Sequence, residues 1–223
     1  MKRIIAPLLF ALIGCAVLVR LGLWQLDRAG EKAAYIAEVE AAITAPADYL
    51  PASVDPSMKY RPVWTEGRTT GEEIDVVSSM KGAGAGYQII AAFETEDGRR
   101  IMIDRGFVPQ QQRRAPRPPA PLMVVGNLHW PDETGDSVPA PNLAENIWFA
   151  RDVPAMAAAL DTEPVLIVAR YVEGDAQGIT PIPLGTEGIP NNHISYAVQW
   201  FLFAITLALM TAWLIWRIRR RTY

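Results

Sequence analysis

The chain has 223 residues, half of them hydrophobic, and a formal net charge of −3 at pH 7. All 24 Asp and Glu residues lie between Asp27 and Glu187, where 14 Lys and Arg leave a net charge of −10. A segment with this charge is unsuited to binding nucleic acid. The only cysteine, Cys15, excludes a domain built on disulfides.

An apolar run opens the chain. Residues 4–19 read IIAPLLFALIGCAVLV, and the run extends to Leu26 if Arg20 places its guanidinium at the membrane interface. We therefore predict a transmembrane helix over residues 4–26, preceded by a short cytoplasmic segment at residues 1–3. The letters LIGC within the run also resemble a lipoprotein cleavage box. The sequence stays apolar beyond that cysteine, however, which argues against cleavage there.

The first helix is predicted to continue past the membrane. Within residues 21–43, Leu26, Ile36 and Ile43 recur at helical spacing with charged residues between them. This pattern is typical of an amphipathic helix. Pro46 ends it, because the residue before a proline disfavours helical geometry.

Short runs with β-like alternation follow. They lie at residues 61–70, 73–79, 86–94, 99–108, 122–129 and 163–173. The turn signal at residues 96–98 joins the third and fourth runs into an antiparallel hairpin. A short helix at residues 152–160 has Asp152 as its N-cap. The fold class is therefore α+β: two transmembrane helices flank a small, mainly antiparallel β domain, a sandwich or partly open barrel with one or two helices.

Two loops carry notable sequences. KGAGAG at residues 81–86 is interpreted as a flexible hairpin loop. Residues 109–121 are rich in proline and include Arg113, Arg114 and Arg117. We interpret them as a solvated loop, and the alternative is that its arginines bind an anion or a partner.

The longest uncharged run lies near the end of the chain. Residues 194–216, at about 1.5 Å each, reach roughly 35 Å as a helix, enough to cross a hydrocarbon core of about 30 Å. Four arginines follow within the tail at residues 217–223. The positive-inside rule then places both termini in the cytoplasm and exports residues 27–193. No transit peptide is recognisable, which favours a bacterial inner membrane with a periplasmic domain over a mitochondrial one.

Enzyme signatures such as C-x-x-C, G-x-S-x-G and H-E-x-x-H are absent from the sequence. His129, at the end of a predicted strand, is interpreted as a loop or sheet residue. His193 stands where the second span begins, and a neutral imidazole is the form that binds a haem iron. Tyr196, Ala197 and Trp200 share its helical face. Two interpretations stay open: His193 is a haem ligand, or it only anchors the span at the interface.

Four blocks of the sequence match one family in order and over nearly the whole chain. They are LGLWQLDRAGEK at 21–32, GYQIIAAFETEDGRRIMIDRGFVP at 86–109, VVGNLHWPDE with PAPNLAENIWFARDVPAMA within 124–157, and NNHISYAVQWFLFA at 191–204. The set resembles the Surfeit-locus-one family of cytochrome c oxidase assembly factors. Members often show G-x-L-R where this chain has His129, so that histidine inherits no role from the family.

The resemblance implies a protein without enzyme activity that helps deliver or insert haem a into the large catalytic subunit of cytochrome c oxidase. The site residues it implies are His193, Tyr196, Gln199 and Trp200 on the second span and Trp24, Gln25 and Arg28 on the first. His193 is the expected ligand of the haem iron, and Arg28 is expected to pair with a haem propionate.

The same resemblance implies the partners. The expected partners are the large oxidase subunit and membrane lipid, and the haem a synthase is a further candidate. No nucleic acid is expected to bind. The alternative function is a scaffold that holds oxidase subunits together during assembly without binding haem. Arg105, Gly106 and Phe107 are expected to stabilise the exported domain.

Overall fold

The computed structural model describes residues 2–220. Its helices are α1 (Lys2–Thr44), α2 (Val153–Leu160) and α3 (His193–Arg220). Its strands are β1 (Asp48–Tyr49), β2 (Pro62–Met80), β3 (Gly84–Thr95), β4 (Arg100–Pro109), β5 (Pro121–Leu128), β6 (Ile147–Trp148) and β7 (Leu166–Gly174). The chain divides into two compact units: a β unit, Val39–Gly185, and a helical unit made of the described parts of Met1–Glu38 and Thr186–Tyr223.

Five strands of the β unit close into a barrel. Their order is β2-β3-β4-β7-β5, and β5 pairs back with β2. Around this ring every pairing is antiparallel except that of β4 with β7, which is parallel and runs only from Met102 opposite Leu166 to Asp104 opposite Val168. The predicted fold class is confirmed, and of the two forms expected for the β domain it is the barrel.

Strand β2 is one strand of 19 residues, whereas the sequence predicted two strands at 61–70 and 73–79. Its register with β3 shifts between Thr69 and Glu73, around Gly71 with a φ of +87°. This is a bulge, which bends a strand without ending it. The prediction of two strands was wrong because the letters TGE mark a bend instead of a turn. The bend lets β2 pair with β5 through its first half and with β3 along the rest.

The predicted hairpin over residues 86–109 is confirmed by β3 and β4, which pair from Gly86 opposite Pro109 to Glu94 opposite Arg100. Alternation sends the side chains of β4 into two separate layers. The layer inside the barrel holds Val63, Phe93, Ile101, Ile103, Val124, Leu128 and Ile167. The layer outside it holds Ile74, Val76, Ile90, Met102, Trp148, Met156 and Leu160.

Helix α2 covers the outer layer. The Asp152 carboxylate accepts a hydrogen bond from the backbone N–H of Ala155 at 3.1 Å, which confirms the predicted N-cap. Pro154 occupies the first turn, where its missing N–H costs nothing. Met156, a residue of α2 that faces this layer, is fully buried.

The proline-rich loop is largely exposed, as interpreted, but two of its arginines are paired with carboxylates. Arg113 Nε lies 2.7 Å from Asp75 Oδ2, and Arg117 Nε lies 2.9 and 2.8 Å from the two carboxylate oxygens of Glu73. The Arg117 side chain is only 5% exposed. These pairs attach the loop to β2, whose carboxylates lie 38 and 44 residues away in the sequence. Both guanidinium groups therefore already have anionic partners. Arg114 is exposed.

The last turn of α1 belongs to the β unit. Val39 and Ile43 are each 5% exposed. The Ile43 carbonyl accepts hydrogen bonds from Asn127 Nδ2 at 3.0 Å and from Arg170 at 3.1 Å. Such side chains replace the intrahelical donors that the last carbonyls of a helix lack, and a cation also suits the negative end of the helix dipole. The helix predicted over residues 21–43 is confirmed within α1.

Within the helical unit, α1 and α3 pack in opposite directions. Cys15 Sγ donates to the Ala204 carbonyl at 3.4 Å, and a Cβ on Gly22 would lie 2.6 Å from the Phe201 ring. The less exposed positions follow the 4-3 spacing of a coiled coil. They are Ala11, Cys15, Leu18, Gly22, Gln25 and Ala29 on α1 and His193, Ala197, Trp200, Ala204, Leu207 and Thr211 on α3.

Both long helices have the length and apolar composition needed to cross a membrane. Of the positions expected to share the face of His193, Ala197 and Trp200 lie on the contact stripe, while Tyr196 is 52% exposed. The membrane limits at residues 4–26 and 194–216 stay predictions.

Candidate functional site

His193 is the first residue of α3, and its ring contacts α1. Its Nδ1 lies 2.8 Å from Gln25 Oε1. The carbonyl of Asn192, just before the helix, accepts from the Tyr196 N–H at 3.2 Å, so the first turn is already formed at the histidine. The ring is half-buried. The contact joins two residues that are 168 positions apart in the chain.

The bond to Gln25 determines which ring nitrogen carries the proton. With Oε1 of Gln25 facing the ring, the amide oxygen accepts, Nδ1 donates, and the lone pair lies on Nε2 of His193. Metal-bound histidines usually donate their other ring N–H to an oxygen in this way, which fixes both tautomer and ring orientation. The contact with Gln25 thus leaves the Nε2 lone pair of His193 outside this hydrogen bond.

An open cleft of about 490 Å³ lies beside His193. Its lining residues are Arg28, Glu31, Lys32, Tyr35 and His193. This size falls within the roughly 300–1,000 Å³ of typical small-molecule sites. Arg28 lies 2.6 Å from Glu31, and both side chains are more than half exposed. A solvated pair of this kind contributes little stability, so Arg28 can exchange Glu31 for another anion at small cost.

Four of the seven predicted site residues are brought together. His193 bonds Gln25, Arg28 lines the same cleft, and the Arg28 guanidinium carbon lies 5.9 Å from the ring centroid of Trp24. All four occupy one end of the α1–α3 pair. All three residues that were predicted on the first span therefore lie in this region.

The other three predicted residues, all on α3, do not line the cleft. Tyr196 is 52% exposed and Gln199 is exposed. Trp200 is half-buried and meets Phe203 edge-on with ring centroids 6.0 Å apart. These side chains flank the helix pair along α3 instead of surrounding the imidazole.

Three cleft residues were missed from the sequence: Glu31, Lys32 and Tyr35. The Lys32 ammonium lies 4.9 Å from the ring centroid of Tyr35. The signal was available, because residues 28, 32 and 35 follow the 4-3 spacing that places side chains on one helix face. Lys32 adds a second cation beside Arg28.

A separate group of buried polar side chains lies in the β unit. Asp104 is 1% exposed and His129 is 8% exposed. Arg151 contacts Asp104 at 3.1 Å and also pairs with Glu133. Burial raises the pKa of Asp104 to about 6, against the attraction of Arg151. Burial also lowers the pKa of His129 to about 4, with the positive charges of Arg151 and Lys59 adding to the effect.

The donor set at the cleft fits a haem. Within residues 2–220, no group of three His, Cys, Asp or Glu side chains is placed to hold a bare metal ion. A haem does not need such a group, because the porphyrin brings its own ring nitrogens to the iron. One imidazole for the iron and two cations for the propionate carboxylates are the groups that such a ligand requires.

Sequence comparison identifies the family. The profile of the SURF1 family matches residues 12–205. The chain belongs to the SURF1 family. Surfeit locus protein 1 of Rattus norvegicus is 27% identical over 210 residues, which cover 81% of this chain and 66% of the rat protein. The same protein of Homo sapiens is 28% identical over 211 residues, covering 81% and 68%.

A bacterial member of the SURF1 family matches over more of its length. The SURF1-like protein of Rickettsia felis is 26% identical over 209 residues, which cover 89% of this chain and 92% of that protein. The chain thus spans about two thirds of the animal relatives and nearly all of the bacterial one. The residues matched by the SURF1 profile include the whole cleft, from Arg28 on α1 to His193 on α3, and Gln25 beside it.

Proposed function

We propose that this protein is a cytochrome c oxidase assembly factor that helps deliver or insert haem a into the large catalytic subunit. It works without enzyme activity of its own. Membership of the SURF1 family and the two long apolar helices support this proposal. The observation that carries it is the Gln25–His193 hydrogen bond, which leaves Nε2 free for an iron.

Each cleft residue has a distinct part in this proposal. His193 Nε2 would bind the haem iron, and Gln25 would hold the ring in the productive tautomer. Arg28 and Lys32 would pair with the propionates, Arg28 after giving up Glu31. With His193 as its one protein ligand, the haem would be held only transiently, because further protein ligands would oppose its release to the oxidase subunit.

The proposed setting is a bacterial inner membrane with both termini in the cytoplasm and residues 27–193 in the periplasm. The charge distribution supports it, since the acidic residues lie in the middle segment and arginines follow α3. The proposed partners are the large oxidase subunit, the haem a synthase and membrane lipid. In this orientation the cleft lies at the periplasmic membrane surface.

The test is an absorbance spectrum of the full-length protein, purified in detergent from cells that make haem a. We expect a haem a spectrum in the wild type and its loss in His193→Ala. His129→Gln is the matched control, because it replaces the other histidine of the chain and should keep the haem. Gln25→Leu should bind haem a roughly 10- to 100-fold more weakly, as expected when the partner that orients a metal-binding histidine is lost.

Two outcomes would overturn the proposal. If His193→Ala binds haem a with unchanged affinity and spectrum, His193 is not the ligand. If the wild type never carries haem but co-purifies with oxidase subunits, the protein is a scaffold that holds those subunits together.

A further inference from the structure

One part of the barrel wall is completed by a loop instead of by strand pairing. The parallel pairing of β4 with β7 ends at Asp104 opposite Val168. Beyond this point a loop at residues 175–181 returns along β4, and Thr180 exchanges two backbone hydrogen bonds with Phe107 at 2.9 and 2.7 Å. A pocket of about 210 Å³ lies where β7 and this loop separate.

Two β-bulges present arginines to this pocket. On β4 the register with β3 skips Arg105, and on β7 the register with β5 skips Arg170. Each arginine is therefore the extra residue of its strand, and both line the pocket. Bulges are frequent next to functional sites because they re-aim a side chain that a regular strand would direct elsewhere.

Arg105 is a buried cation whose bonded partners are all neutral. It is 3% exposed, and it donates to Gln177 Oε1 at 2.9 Å and to the carbonyls of Asp175 and Ala176 at 3.2 and 3.4 Å. Burial lowers the pKa of Arg105; the carboxylates of Glu73 and Asp175, neither of them bonded to the guanidinium, oppose this effect. A buried charge without a bonded counter-charge is costly, so an anion in contact with it would be favoured.

The rest of the pocket is free of acidic residues. Arg170 donates to the Ile43 carbonyl, which is also a neutral acceptor. The remaining lining is apolar or aromatic: Tyr171, Val172, Ala176, Ile179 and Pro181. The pocket therefore combines two guanidinium groups with a hydrophobic wall.

We propose that this pocket binds a small organic carboxylate, with its carboxylate between Arg105 and Arg170 and a short apolar chain against Val172 and Ile179. Guanidinium groups bind carboxylates through paired, charge-assisted hydrogen bonds. The volume limits the ligand, since 210 Å³ is about seven times the roughly 30 Å³ that one water occupies in the liquid. A chain of about four carbons fits this limit.

The experiment is equilibrium dialysis of radiolabelled butyrate against the full-length protein in a nonionic detergent, with empty micelles as the blank. We expect saturable binding of one butyrate per protein, displaced by unlabelled butyrate and not by butylamine. Ala176→Leu fills the pocket without altering either arginine and should abolish binding. Ala158→Leu, on the exposed face of α2, is the matched control and should bind as the wild type does.

A charge variant gives an independent test. Arg170→Gln should weaken butyrate binding at least tenfold while keeping a donor near the Ile43 carbonyl. The proposal is overturned if butyrate shows no saturable binding, or if Ala176→Leu binds it unchanged. It is also overturned if inorganic phosphate displaces butyrate at equal concentration, because the apolar wall would then have no part in recognition.

Discussion

Two buried groups of the β unit, His129 and Asp104, change stability with pH in opposite directions. This yields a prediction for His129→Gln. The pKa of His129 falls from 6.5 to about 4 on folding. Between these values the unfolded chain binds the proton and the folded protein does not, so stability is lost as pH falls. From pH 7 to pH 5 this loss amounts to about 2 kcal/mol.

Asp104 acts in the opposite direction. Its pKa rises from 3.8 to about 6, so the folded protein binds the proton first and gains stability as pH falls. The gain from pH 7 to pH 5 is about 1 kcal/mol. The two contributions have opposite signs, so they should largely cancel in the wild type over this range. His129→Gln should instead become more stable by about 1 kcal/mol, because only the Asp104 contribution remains.

The assay is urea unfolding of the full-length protein in detergent at pH 7 and pH 5, followed by tryptophan fluorescence. Any constant cost of the substitution cancels, because only the change with pH is compared. The reasoning is refuted if His129→Gln and wild type show the same change between the two pH values. A titration of the histidine ring signals by NMR checks the pKa directly, since the chain has two histidines and His193→Ala identifies their signals.

Three further predictions concern the stability of the β unit, measured by the same unfolding experiment. Glu73→Gln leaves Arg117 buried without its counter-charge and should cost about 3–5 kcal/mol. Gly106→Ala adds a Cβ against the Thr180 carbonyl at a φ of +117° and should cost about 2 kcal/mol or more. Met156→Ala opens a cavity beneath α2 and should cost about 2–5 kcal/mol.

Each of these has a matched control. Glu72→Gln removes a carboxylate whose side chain is 61% exposed and should change stability by less than about 1 kcal/mol. Gly98→Ala has a similar φ of +83° with open space around it, so it isolates the backbone strain from the contact. Leu143→Ala removes a side chain that is 68% exposed and leaves no cavity. A buried-site variant that costs no more than its control would contradict the packing described for that site.

Local sequence patterns carried enough information for the regular parts of the fold. The hairpin of β3 and β4 was predictable because its alternation and its turn at residues 96–98 agree with each other. The N-cap of α2 was predictable because Asp152 stands just before the helix. The bulge at Gly71 was not predictable, since a glycine between two polar residues looks the same in a turn as in a bent strand.

Long-range pairs could not be predicted in this way. The partners of Arg113 and Arg117 lie on β2, and nothing in the loop itself reveals that β2 brings carboxylates to it. In the candidate site, His193 was indicated by its position at the start of a span. Gln25 entered only through the family resemblance, and Lys32 was missed because lysine near a predicted interface is usually solvated.

The ring order of the barrel has a consequence for how the chain is made. Strand β7 lies between β4 and β5, so the ring stays incomplete until Gly174 has left the ribosome. While residues 110–165 are being synthesised, β4 has no neighbour on that side, and an unpaired strand edge readily joins another chain. Distant pairings of this kind also form slowly. The nascent protein is therefore most vulnerable to aggregation after β4 has emerged and before β7 does.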